Sequence, residues 1–204
     1  MAVDMSSFDE NTSEYISKTF NKLDLSFREL KDIEFDSCKF VNCDFNESIF
    51  YKCKLIDCEF EKCNLSLIKL NYTRLLDVFF EDCKIIGVDW TKVDWPNIIP
   101  SSPVKFSKCI INDSSFFGLN LKEIMIEECK AHNVDFREGD FRKGSFDYSD
   151  LSNSLFNNTN ISSASFAEAS NYDIDINYNK LTNAKFTKHE ATRLLTSLNI
   201  QLLD

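Results

Sequence analysis

The sequence predicts a solenoid, a chain turned through a fixed angle every five residues. Three observations predict it. Large apolar residues recur at every fifth position from Phe20 through Phe40, Phe60 and Phe80 to Trp90 and Trp95. They resume one residue out of phase at Phe106 and run to Phe186, so that 32 of 33 such centres are apolar in a chain that is 43% hydrophobic. The exception is Asn171. Second, the residue two before each centre is mostly small, and all 8 Cys fall there. Third, 15 of the 19 Phe are centres, whereas the chain has only 4 Gly and 3 Pro. A period of five matches neither the 3.6 residues of a helix nor the 2 of a strand.

The repeating unit reads small, Asp or Asn, large apolar, polar, polar. The second position (Asp44, Asn64, Asp89, Asp135, Asp150) suits a turn of unusual φ and ψ. Cys43-Asp44-Phe45-Asn46-Glu47, Val134-Asp135-Phe136-Arg137-Glu138 and Ser149-Asp150-Leu151-Ser152-Asn153 are clear copies. This unit resembles the pentapeptide-repeat family over residues 20–95 and 104–186, about four-fifths of the chain. The resemblance implies an all-β fold, a right-handed quadrilateral parallel β-helix of four pentapeptides per coil, with the centre and small residues inward. Residue n then lies under residue n+20, with coils ~4.8 Å apart. Phe20, Phe40, Phe60 and Phe80 should stack, as should Phe146, Phe166 and Phe186, and Phe116, Phe136 and Phe156.

The elements follow in order. Residues 1–19 form an N-terminal arm or an imperfect first coil, and residues 20–186 the β-helix. All three prolines lie at Pro96, Pro100 and Pro103, where the phase breaks. Proline cannot donate to a ladder, so residues 96–103 should leave the wall as a loop. Pro96, Asn97, Ile98, Ile99 and Pro100 are the candidate partner-contacting residues, because binding groups favour loops on rigid scaffolds. Trp90 and Trp95, as centres, should be core. In residues 187–204, Thr187-Lys188-His189-Glu190 reads as a capping box, and Ala191, Leu194, Leu195 and Leu198 form one apolar face of an α-helix ending near Asn199. That helix should cap the last coil. Leu194, Leu195, Leu198, Ile200 and Leu202 are the candidate interface of a twofold homodimer.

Cysteine at a spacing of five does not match zinc pairs, which come as C-x₂₋₄-C, and neither His132 nor His189 adjoins a Cys pair. Stacked Cys43, Cys63 and Cys83 would lie within disulfide range, but their side chains point in parallel. Free thiols acting as small apolar filler are the expected state. No nucleophile–base pair, P-loop, dinucleotide fingerprint or H-E-x-x-H motif is present, so neither catalysis nor a cofactor or metal is expected. A filled rod also offers little pocket to an enzyme.

With 23 basic and 33 acidic residues the net charge is −10 and the pI about 4.8, which disfavours direct contact with nucleic acid or an anionic membrane. A flat ice-binding face is not expected either, since no outward Thr row recurs from coil to coil. The chain has no signal-like start and no apolar run of membrane-spanning length, so a cytoplasmic location is expected. Gly144 to Asn179 contains no Lys or Arg, making Asp147, Asp150, Glu168, Asp173 and Asp175 a candidate acidic patch.

Within the family the likeness is to Qnr-type topoisomerase-protecting proteins: an acidic β-helix, a loop interruption and a terminal helix of the form Ala191-x-x-Leu194-Leu195-x-x-Leu198-x-Ile200. That resemblance implies a dimeric DNA mimic binding DNA gyrase or topoisomerase IV and shielding it from quinolones or toxins. A β-helix scaffold for some other protein partner is the alternative. Averaged over an ~80 Å dimer, 20 charges give one per ~4 Å, against one per ~1.7 Å for duplex DNA, so only a local patch could compete with DNA.

Overall fold

A computed structural model describes residues 8, 9, 11–96, 102–198 and 200. The chain winds into a right-handed quadrilateral parallel β-helix of about eight turns. Its strands are three or four residues long in the first half, for example Lys39–Val41 and Glu59–Glu61, which pair in parallel like all the others described. Such short strands follow from the five-residue unit, because a corner must come every fifth residue.

Each coil satisfies its neighbours by a fixed rule. The centre donates its N–H to the carbonyl just before its counterpart in the next coil (Phe45 N to Asn64 O, 2.7 Å). The residue before it donates to the carbonyl just before its own counterpart in the preceding coil (Asp44 N to Leu23 O, 2.9 Å). Faces one to four are those carrying Phe40, Phe45, Phe50 and Phe35, each of which is buried. On face one the rings of Phe20, Phe40, Phe60, Phe80 and Phe106 stack with centroids 5.1, 4.6, 5.0 and 5.3 Å apart. On face three Trp90, Phe116, Phe136 and Phe156 stack at 5.5, 5.4 and 4.9 Å. Rings on adjoining faces meet edge-on, as Phe35 and Phe40 do at 5.3 Å. Both arrangements suit the aromatic quadrupole.

The corner chemistry differs from the sequence expectation. Left-handed φ does not fall at the Asp/Asn position but mostly two residues after each centre, at non-Gly residues such as Glu47 (φ 54) and Lys143 (φ 59). Asp and Asn serve another purpose. Their carboxylate or amide oxygen accepts the N–H two residues on, as Asp44 does from Asn46 (2.9 Å) and Asp89 from Thr91 (3.0 Å). That is an Asx-turn, which satisfies a corner donor that no neighbouring coil reaches.

The loop is shorter than residues 96–103. Pro103 is buried and its carbonyl accepts the N–H of Val78 at 3.0 Å, so it already belongs to the wall. A wall position that needs only an acceptor tolerates proline. Ser102 is buried too, with its hydroxyl donating to Val104 O. Across the break Phe80 lies opposite Phe106, so the n+20 register becomes n+26 for that one coil. Trp90 is core, whereas Trp95 is only half-buried, leaning on Trp90 and donating its Nε1–H to Trp90 O at 3.0 Å.

A second irregularity is hidden by the repeat. Phe156 pairs with Ile174 and not with Ile176, the centre that the period places beneath it. Tyr172 is buried in place of Asn171, and Ile174 in place of the half-exposed Ile176. Asparagine cannot fill a core site without losing its hydrogen bonds, so the chain cuts the corner between faces two and three by two residues. It restores them before Lys180, which again lies opposite Asn160.

The ends are closed by different means. At the start, Glu14–Ile16 pairs with Glu34–Asp36, and Phe8 stacks on Tyr15 at 5.5 Å. At the finish, Glu190–Leu198 is a 3₁₀-helix and not the expected α-helix. The capping-box residues are committed elsewhere. Thr187 Oγ1 accepts the N–H of Glu168 (2.6 Å) and Glu190 Oε2 that of Asn171 (3.2 Å). Both donors belong to the preceding coil, so these side-chain oxygens stand in for the carbonyls of a next coil that does not exist. Within the helix, Thr192, Thr196 and Ser197 donate their hydroxyls to carbonyls three residues back, a spacing that favours the tighter turn.

Candidate interaction surfaces

The cysteine column is more than filler. Cys63 Sγ donates to Phe40 O at 3.4 Å and accepts the N–H of Cys43 at 3.3 Å. Cys83 repeats the pattern with Phe60 O and Cys63 N–H, both at 3.3 Å. Thr73, Ser149, Ser154 and Thr159 hold the same donor bond to a centre carbonyl of the preceding coil. All eight cysteines are free and buried. Burial pushes the Cys58 thiol up to about 12 and the Cys53 thiol to about 11, which leaves them protonated and unreactive near neutral pH. Among the described residues no group of His, Cys, Asp and Glu is arranged to hold a metal ion.

The acid-only stretch does not form one surface. Asp147 and Glu168 lie on successive coils at the corner of faces one and two, and Asp150 opens face two. Asp173 and Asp175 are on face three. Several carboxylates are occupied. Asp147 accepts the N–H of Ala167, and Asp175 that of Asn177. Asp150 faces His132 Nε2 at 2.9 Å and also meets Asn171 and Ser152. Burial opposes ionisation of Asp150, but these partners together hold its carboxyl down to about 2.

A different acidic surface emerges once the break is crossed in register. Glu61 and Glu81 lie directly opposite each other, as do Ser107 and Glu127. The corner of faces one and two therefore carries, coil by coil, Glu61, Glu81 with Asp82, Glu127 with Glu128, then Asp147 and Glu168. Glu61 is paired with Lys39 and Lys62, and among the described residues Lys108 is the one cation set into the remainder of this row. Rows at n+20, shifted to n+26 across the loop, are the signal that would have found it.

Of the loop candidates Pro96 is half-buried, and Asn97, Ile98, Ile99 and Pro100 lie outside the described residues. On the terminal helix Leu194 packs against the core and Leu195 is half-buried, whereas Leu198 and Ile200 are 43% and 52% exposed. Leu202 lies outside the described residues. No helix among the described residues is long and apolar enough to cross a membrane.

These features define a filled parallel solenoid of five-residue units that presents only its outer rows to other molecules. The chain belongs to the pentapeptide-repeat family, whose repeat-region model matches residues 33–99 and 101–166. No curated protein sequence matches it. Among solved structures it is similar to a trypsin-treated form of QnrB1, a plasmid-mediated fluoroquinolone resistance protein. That match has 19% identity and a TM-score of 0.65, covering 97% of this chain and 96% of the other. A second trypsin-treated QnrB1 form gives 16% identity and a TM-score of 0.64, covering 91% and 100%. HetL, a pentapeptide-repeat protein involved in heterocyst differentiation regulation from the cyanobacterium Nostoc sp., gives 13% identity and a TM-score of 0.69, covering 87% and 76%. At these identities the likeness is one of fold.

Proposed function

We propose that the protein is a non-enzymatic binding protein that occupies the DNA-binding surface of DNA gyrase or topoisomerase IV as a local DNA mimic. The observation that supports this reading is the acidic ridge. From Glu81 to Glu168 it carries six carboxylates and one lysine over five coils. At ~4.8 Å per coil this is one net charge per coil, or one every ~5 Å along one edge. A single DNA strand presents one phosphate per about 3.4 Å of axis. The ridge thus approaches one strand, although the rod as a whole falls short of the duplex. The exposed Leu198 and Ile200 are the proposed dimer contact, which would extend the ridge through a second copy.

The test is supercoiling by purified gyrase with the protein at micromolar concentration, with and without a fluoroquinolone. Supercoiling should change, or drug inhibition should be relieved, and Glu127→Lys with Glu128→Lys should remove the effect. If the intact protein does neither, this reading is wrong. HetL shows that the same fold serves regulation of another kind, which supports a scaffold role as a second reading. Deleting residues 97–101, which leaves the wall residues Ser102 and Pro103 in place, should then abolish capture of a partner that is not a topoisomerase.

A further inference from the structure

The cut corner near the C-terminus leaves a notch in the rod. Two adjoining cavities of about 550 and 340 Å³ lie between faces two and three of the last coils and the terminal helix. Leu155, Asp173 and Thr196 line both. The notch exists because Asp150 lies opposite Ser170, a step of 20, while Leu155 lies opposite Asp173, a step of 18. Two residues that would close this corner in a regular coil are missing.

Three groups in the notch want partners. In regular coils the corner N–H two after a centre donates to the carbonyl just before its counterpart in the next coil, as Asn133 and Tyr148 do at 2.9 and 2.8 Å. Asn153 is such a corner, with φ 59, and among the described residues no acceptor meets its N–H. Tyr172 lines the larger cavity, is fully buried, and its hydroxyl has no hydrogen-bond partner among the described residues. That hydroxyl lies below the surface, so the Asn153 N–H, on an exposed residue, is the donor that an acceptor brought from outside can reach. Third, no ion pair or hydrogen bond holds the Asp173 carboxylate among the described residues. The nearby cation, Arg193, is already held by Glu190 at 2.7 Å and by Asn171 at 3.3 Å. Asp175 adds a second carboxylate to the smaller cavity.

We propose that the notch binds an extended peptide segment carrying a lysine or arginine. One of its main-chain carbonyls completes the missing corner by accepting from Asn153 N–H. Its cationic head pairs with Asp173 and Asp175, and its aliphatic stem lies on Leu155, which is 45% exposed. The terminal helix forms the far wall. This site does not depend on a topoisomerase partner, and its failure would leave that reading standing.

The experiment is a titration of the ¹⁵N-labelled full chain with three probes: acetyl-Ala-Lys-Ala-amide, acetyl-Ala-Glu-Ala-amide and spermidine. The lysine peptide should shift the Asn153 amide resonance saturably, and the other two should not. Asp173→Asn with Asp175→Asn should weaken the lysine peptide at least tenfold. Tyr172→Phe removes the stranded buried hydroxyl without leaving a cavity, so it should keep or raise the melting temperature and leave the peptide's affinity unchanged. An Asn153 amide that stays still with the lysine peptide overturns the proposal. Equal response to spermidine overturns its strand component, and unchanged affinity in the double aspartate variant overturns the charge pairing.

Discussion

The two halves of the rod solve one problem in two ways. Every corner leaves the N–H of the small residue in need of an acceptor. In the first half that donor is often passed to the next coil, from Cys43 to Cys63 Sγ and from Cys53 to Thr73 Oγ1, both at 3.3 Å. In the second half the corner more often closes on itself, as Gly144 donates to Phe141 O (3.0 Å) and Ala164 to Ile161 O (3.0 Å). The difference follows the side chain one coil further on. Cys63 and Thr73 offer a sulfur or oxygen, while Ala164 and Ala184 offer nothing. The cysteine-rich half thus leans more on coil-to-coil bonds, and the Gly- and Ala-rich half more on local closure. Even so, Cys109, Cys129, Val134 and Thr159 keep coil-to-coil bonds in the second half, and Ser48 and Thr73 close locally in the first.

The largest way to break this comparison is alkaline pH. Cys53 and Cys58 have native pKa values above their unfolded value of about 9, so the folded form binds more protons. Their contribution is complete below pH 9 and is lost as pH rises toward the native values of about 11 for Cys53 and 12 for Cys58. Since one pKa unit corresponds to about 1.4 kcal/mol, pH 11 should remove ~2 kcal/mol or more for each of these two thiols. Both lie in the first half, as do six of the eight cysteines, so that half should loosen first. Iodoacetamide pulses mapped by mass spectrometry should find Cys53 and Cys58 unlabelled at pH 8 and labelled by pH 11. Labelling at pH 8 at the unfolded rate would refute the buried state.

Next in size is the aromatic stack, which should not distinguish the halves. Phe40→Ala empties a fully buried site between the stacked rings of Phe20 and Phe60, and Phe146→Ala one stacked on Phe166. Each should cost ~3–5 kcal/mol in chemical denaturation. A much smaller loss in either half would mean that its coils can collapse around a void.

The thiol rungs come third. Cys63→Ala removes both the donor to Phe40 O and the acceptor of Cys43 N–H, and should cost ~1–3 kcal/mol. Cys63→Ser keeps both bonds, as Ser149 does at the same place in the column, and should cost under ~1 kcal/mol. Equal losses from Ala and Ser would return the cysteines to the role of apolar filler.

Much of this is legible in the sequence, and the failures share a cause. Centres, small positions, the loop break and the Phe columns are readable because packing imposes them at every coil. The corner at Asp173 is not, because a deficit of two residues is repaid before Lys180 and the period survives on either side. Sequence reasoning puts left-handed φ at Asp44 because Asp tolerates it. The structure puts that strain at Glu47 and uses Asp44 as an acceptor, since only the coil geometry decides which corner amide lacks a carbonyl. The capping box fails for the same reason. Thr187 and Glu190 match a helix start, yet the unpaired amides of Glu168 and Asn171 compete for their oxygens and win. The acidic ridge escapes a linear reading because its members sit on successive coils, whereas the sequence patch groups neighbours along the chain.

The C-terminal cap tests that competition at a smaller scale. Thr187→Val leaves Glu168 N–H without its 2.6 Å acceptor and should cost about 1 kcal/mol. The loss should be local, because a solenoid opens from its ends. Amide exchange at Glu168 should rise several-fold with no change at Phe45, far from that end of the rod. Slower helix formation with unchanged exchange at Glu168 would instead restore the capping-box reading.

The smallest effect asks whether the corners themselves are equivalent. Lys22 (φ 56) and Glu138 (φ 60) are exposed, each holds left-handed backbone, and they belong to opposite halves. A side chain in that region is strained by its Cβ against the following carbonyl, and Asn tolerates it better than Lys or Glu. Lys22→Asn and Glu138→Asn should each stabilise by ~0.5 kcal/mol. Equal gains would mean that the strain is a property of the square coil and independent of how each half ties its corners. A gain at Glu138 alone would mean that the coil-to-coil rungs of the first half already hold its corners so firmly that local preference no longer matters.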